Sequence, residues 1–95
     1  MNLAAGPAIR ALLIEDNPGD ARLIQEMLRD ASGGHAAVKL ELADRLAVGL
    51  AKLTDEVSDV VLLDLTLPDS QGFETFTTLH THAPDVGIVV LDKPE

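Results

Sequence analysis

The sequence predicts an α/β domain: an open parallel sheet with strand order 2-1-3-4 and helices on both faces. Three observations predict it. Short apolar runs rich in β-branched residues alternate with segments of helical period, and three of the four runs end on acidic residues. Each run is followed by a helix start or a turn signal, the β-α-β-α order that requires right-handed crossovers. The length, 95 residues, admits one hydrophobic core and no second domain.

The elements follow in order. Ile9–Ile14 is the first run and stops at Glu15-Asp16. Asn17-Pro18-Gly19-Asp20 then starts a helix: Asn17 can cap it, Pro18 occupies the first position, where a missing N–H costs nothing, and Asp20 complements the dipole. Ala21, Ile24, Leu28 and Ala31 mark one face of that helix, Leu23 and Met27 widen it, and Ser32-Gly33-Gly34 ends it. In the second run, Val38–Leu42, Val38, Leu40 and Leu42 alternate with Lys39 and Glu41, as in a strand with one face less buried. Asp44 is expected to cap a helix carrying Leu46, Leu50 and Leu53 to about Asp55. The third run, Val60–Leu63, stops at Asp64. Asp69-Ser70 is expected to cap a third helix, which buries Phe73, Phe76 and Leu79 and closes at Ala83-Pro84. The last run, Ile88–Leu91, stops at Asp92.

Composition removes whole classes of function. With no cysteine there is no disulfide framework, thiolate nucleophile or cysteine-based metal site, which fits a reducing compartment. No apolar run is long enough to span a membrane, and residues 1–8 lack the basic start and apolar stretch of a signal peptide, so a cytoplasmic protein is expected. A formal charge of −9, with the seven basic residues scattered, argues against binding nucleic acid.

The informative acids are Glu15, Asp16 and Asp64, at the carboxyl ends of the first and third strands. In a sheet ordered 2-1-3-4 the strand order reverses between those two strands, and the functional crevice of such sheets lies there. Any one acid at a strand end also serves as a cap or a solvated loop end. Three converging carboxylates repel one another unless a cation is present, and a hard divalent ion such as magnesium suits oxygen donors. A carboxylate beside such an ion can attack a phosphoryl group and form an aspartyl phosphate. Asp64 stands alone after its strand and is the better nucleophile candidate, whereas Glu15 and Asp16 form a pair suited to holding metal.

Leu12-Leu13-Ile14-Glu15-Asp16-Asn17 resembles the opening strand and acidic pair of the receiver domain of bacterial response regulators. The segment from Val60 to Gly72 resembles its phosphoacceptor region: an apolar strand, an Asp, a Pro four residues on and a Gly eight residues on. The resemblance covers about Ile9 to Leu91 and implies a flavodoxin-like fold. It also implies phosphorylation of Asp64 by a histidine kinase or phosphotransfer protein. Magnesium would be held by Glu15, Asp16, Asp64 and the backbone carbonyl of Thr66.

The pattern departs from the family after the fourth strand. A Ser or Thr normally follows it, where this chain has Asp92, a group that repels phosphoryl oxygens and, when ionised, donates no hydrogen bond. The usual fourth helix, fifth strand with its lysine, and fifth helix do not follow Leu91. Lys93-Pro94 matches the end of the family's fifth strand. Either the chain is truncated and Lys93 is incidental, or an internal deletion brings Lys93 to the phosphoryl site; the first is preferred because nothing fixes Lys93 in a strand. Without the missing elements the fourth strand is an exposed apolar edge and the first helix lacks a cover, so a homo-oligomer through these two elements, or a partly disordered monomer, is expected.

Three functions share this fold: a magnesium-dependent phosphoacceptor, a receiver-derived binding module that no longer switches, and a fragment completed by another chain. An independent enzyme is not expected, since neither a general base nor a small-molecule pocket is evident. His80, His82 and His35 read as solvated, and Gly33-Gly34 lacks the spacing of a nucleotide-binding loop.

Overall fold

A computed structural model describes residues 9–32 and 38–91, with the side chains of residues 31 and 32 excepted. The expectations placed on residues 1–8, Ala31, the Gly33-Gly34 helix stop, His35, Asp92 and Lys93 fall outside this description. The described elements are β1 (Ile9–Ile14), α1 (Pro18–Ser32), β2 (Val38–Ala43), α2 (Leu46–Asp55), β3 (Val60–Asp64), β4 (Thr66–Leu67), β5 (Ser70–Gln71), α3 (Phe73–His82) and β6 (Gly87–Leu91). The main sheet is parallel throughout, ordered β2-β1-β3-β6, which is the predicted 2-1-3-4 arrangement. The small antiparallel hairpin β4–β5, not anticipated from sequence, lies in the loop after Asp64.

Right-handed crossovers fix the layers. The step from β1 to β2 runs opposite to those from β2 to β3 and from β3 to β6, so α1 covers one face while α2 and α3 share the other. Alternation along the strands sends Leu12 and Ile14 of β1, with Val61 and Leu63 of β3, to the α2–α3 face, where they cluster with Ala43, Leu46, Leu67 and Leu79. Leu50, Leu53, Phe76 and Ile88 pack against this cluster. On the α1 face Leu13 and Ala21 are buried, but Leu23 and Met27 of α1 and Val89 of β6 are exposed. The expected unevenness of cover is therefore present among the described residues.

Two capping expectations are corrected. Asp44 does not cap α2: Arg45 is the N-cap residue, with no side-chain capping bond, and Asp44 instead pairs with the Arg45 guanidinium at 3.2 Å. Nor does Asp69-Ser70 cap α3, whose N-cap is Gly72 at a φ of 75°, a left-handed conformation that glycine adopts without strain. Phe73, expected in the core, is 71% exposed, because it lies about 120° around α3 from Leu79, which is fully buried.

Candidate functional site

The site is built where β1 and β3 end. Leu63 is in register with Ile14, so the residues that follow them, Asp64 and Glu15, emerge at the same level of the sheet. Glu15 still extends the pairing with β2, its N–H donating to the Ala43 carbonyl at 2.9 Å. Both carboxylates are 4% exposed, and Glu15 Oε1 is closed off from solvent. Asp16, one residue on, is exposed. Glu15, Asp16 and Asp64 each bring one carboxylate oxygen within 4.8 Å of the others, so the three acids singled out from sequence do converge.

Local backbone geometry holds each of them. The Asn17 N–H donates to Glu15 Oε2 at 3.1 Å, which folds the Glu15 side chain back over its own loop. Asn17 Oδ1 in turn accepts the Asp20 N–H at 3.0 Å and caps α1 as predicted, so Asp16 lies between a buried strand end and a capped helix. Asp64 Oδ1 accepts the Thr66 N–H at 2.9 Å, and the Gly72 N–H donates to the Leu65 carbonyl at 2.7 Å, closing the base of the β4–β5 hairpin. Leu67, 1% exposed, anchors that hairpin in the core.

Two buried carboxylates beside a third gather three acidic groups in a small space with little water between them, an arrangement that a cation would neutralise. The donor set is all oxygen, combines two preorganised ligands with one exposed ligand, and opens at the carboxyl edge of the sheet. That is the chemistry suited to a hard divalent cation that keeps part of its water shell, so the residues present fit magnesium. Thr66 stays beside Asp64 through its amide, whereas Lys93 lies outside the described residues.

One residue of the neighbourhood serves α2 and not the expected α3. Asp69, at the tip of the hairpin, accepts the N–H groups of Leu46 and Ala47 on Oδ1 and Oδ2, at 2.8 and 2.9 Å. These bonds, that from Ala47 above all, hold its carboxyl below the usual carboxylate range. The available signal was the start of α2 itself, where Arg45 is a poor cap and the first turn carries no acid. Ser70 and Thr75 share a hydroxyl hydrogen bond of 2.7 Å that ties β5 to α3. His80 stacks on Phe76, and His82 meets the Thr54 hydroxyl at 3.0 Å; both histidines are exposed, as expected. No helix among the described residues is long and apolar enough to cross a membrane.

Comparison with known proteins agrees with this geometry. The cell cycle transcriptional regulator CtrA of Caulobacter vibrioides is 36% identical over 83 residues, covering 87% of this chain and 34% of the relative. The cell cycle response regulator CtrA of Brucella abortus matches to the same extent. This chain thus spans about a third of the length of the curated relatives it matches. Among solved structures, the MaeR response regulator bound to beryllium trifluoride superposes with a TM-score of 0.79 at 20% identity, over 92% of this chain and 69% of that one. A CheY-like receiver domain protein from Methanospirillum hungatei superposes with a TM-score of 0.73 at 24% identity, over 87% and 62% of the two chains. The family model described as response regulator receiver domain matches residues 11–93, nearly the whole sequence, and the chain belongs to that family.

Proposed function

We propose that this chain is a phosphoacceptor module in which Asp64 takes a phosphoryl group, with magnesium bound, from a histidine kinase or phosphotransfer protein. The observation that carries the proposal is the convergence of Glu15, Asp16 and Asp64 at the ends of β1 and β3. Glu15, Asp16, Asp64 and the Thr66 carbonyl would hold the ion. When bound, it neutralises charge on the carboxylates and on the transferred group. The Thr66 N–H fixes the plane of the Asp64 carboxylate. An Asp64 oxygen attacks phosphorus, a P–O bond forms as the donor's P–N bond breaks, and the donor imidazole leaves with a proton. The chain acts as an acceptor in this exchange and not as an independent enzyme.

Incubation with magnesium and acetyl phosphate, read by intact mass, tests this. The wild-type chain gains one phosphoryl group and Asp64→Asn gains none. Absence of any Asp64-dependent adduct, together with absence of magnesium binding, sinks the proposal and leaves a binding module.

A second reading accompanies the first, favoured by the exposure of Leu23 and Met27 on α1 and of Val89 and Val90 on β6. These apolar groups support a homo-oligomer formed through α1 and the open edge of β6. Light scattering on the eluting chain is expected to give a mass above that of one copy. A monodisperse, fully folded monomer overturns that expectation.

A further inference from the structure

We infer that Asp69 is a positioning residue for the acidic site, fastening the loop that follows Asp64 to the first turn of α2. The inference rests on the magnesium reading above and adds to it a residue outside the acidic trio. Besides the Ser70–Thr75 hydroxyl bond to α3, the loop from Asp64 to Gly72 is held at its base, its middle and its tip. At its base the Thr66 N–H bonds to Asp64 Oδ1 and the Gly72 N–H to the Leu65 carbonyl. In its middle Leu67 is buried in the core. At its tip both Asp69 oxygens bind α2, on Leu46 N–H and Ala47 N–H.

The tip contact is unusual in what it joins. The first N–H groups of a helix need acceptors, normally from a side chain at the helix start. α2 has none there: Arg45 makes no capping bond and no acid occupies the first turn. The acceptor and the negative charge come instead from a loop more than twenty residues away in sequence. The start of α2 also lies close to the other half of the site. Ala43, just before it, accepts the Glu15 N–H, and Gly49 packs against the side chain of Ile14, the residue before Glu15. Asp69 therefore closes a ring: Asp64 and Thr66 to the hairpin, the hairpin to α2, α2 to β1 and Glu15.

A group that ties two sets of ligands together must have its own contacts strengthened when a ligand brings those sets together, because coupling is reciprocal. An amide-resolved magnetic resonance titration of the whole 15N-labelled chain with magnesium chloride tests this. Asp69→Ala is expected to raise the magnesium dissociation constant about threefold to tenfold, less than the roughly tenfold to hundredfold that loss of a direct outer-shell partner costs, because Asp69 acts through the loop. Asp69→Asn keeps one acceptor oxygen and is expected to recover part of that loss. In the wild-type chain, saturating magnesium should slow hydrogen exchange of the Leu46 and Ala47 amides about threefold or more. The Glu56 amide, bonded to the Lys52 carbonyl at the far end of α2, should not respond. A simple helix cap would protect Leu46 and Ala47 equally with and without the metal. Unchanged affinity in Asp69→Ala, or wild-type Leu46 and Ala47 amides indifferent to magnesium, overturns the positioning role alone. Should Asp69→Ala fail to fold, the wild-type exchange measurement decides by itself. A wild-type chain with no saturable response to magnesium overturns the site reading and this inference together.

Discussion

On one face of the sheet, Leu12, Ile14, Val61 and Leu63 are shut beneath α2 and α3 along with Leu46, Leu67 and Leu79. On the other, Leu13 and Ala21 are buried, but Leu23, Met27 and Val89 stand in solvent. The difference matters because the acidic site is tied to the closed face. Glu15 directly follows Ile14 and Asp64 directly follows Leu63, while the hairpin after Asp64 drops Leu67 into the same cluster and sends Asp69 to α2. Local rigidity tracks buried apolar contact, so the closed face supplies the precision that the carboxylates need and the open face supplies surface for association.

Substituting one apolar side chain on each face is the sharpest test of this contrast. Leu63 is fully buried in the main cluster, and Leu63→Ala is expected to cost about 2–5 kcal/mol, through lost transfer energy and the cavity left behind. Val89 is 49% exposed, and Val89→Thr is expected to stay within about 0.5 kcal/mol. Urea unfolding followed by circular dichroism gives both numbers. Equal losses would mean that the open face is covered in solution, either by a second copy or by residues outside those described here.

A smaller effect is expected where α2 meets β1. A Cβ placed on Gly49 would approach Ile14 Cγ1 to 2.9 Å, closer than real side chains come, and would press harder still on Ile14 Cδ1. Overpacking of this kind costs about 1–3 kcal/mol. Replacing a helical glycine by alanine returns about 1 kcal/mol of helix propensity. Overpacking wins, so Gly49→Ala should destabilise by up to about 2 kcal/mol, the difference between those two terms. Because Ile14 precedes Glu15, magnesium affinity should fall as well, a response that no substitution on the open face should produce.

Much of this was legible in the sequence because it depends on short-range pattern. The apolar runs named the strands of the main sheet, Asn17-Pro18 named the start of α1, and acids at two strand ends sufficed to bring Glu15, Asp16 and Asp64 together once the strand order was inferred. What escaped depends on where the fold places distant residues. Asp69 looks like a cap for the helix that follows it, and only the topology shows that the first turn of α2 is nearer. The three-residue spacing of Phe73, Phe76 and Leu79 drifts by about 60° per step on a helix of about 3.6 residues per turn, so Phe73 lies well round α3 from the face that buries Thr75 and Leu79. The β4–β5 hairpin has strands of two residues each, too short to show alternation.

The smallest expected effect is a dependence on pH located at the closed face. The hydrogen bonds from Ala47 and Leu46 lower the Asp69 carboxyl pKa, so the folded state favours its ionised form. The sign follows from linkage. A folded-state pKa below the unfolded one gives stability that is present in full above the ordinary aspartate pKa of about 3.9 and is lost as pH falls through the lower folded value. Asp69 is exposed, so water screens the interaction and its share of the acid destabilisation is small. Asp69→Asn should flatten the acid limb of the stability profile slightly, while at neutral pH it should lose part of the capping energy, about 0.5–2 kcal/mol when a cap is removed altogether. Denaturant melts of both proteins across the acid range would show the two curves converging as pH falls. Parallel curves would mean that the Asp69 charge adds nothing to the cap and that hydrogen-bond geometry alone holds the hairpin to α2.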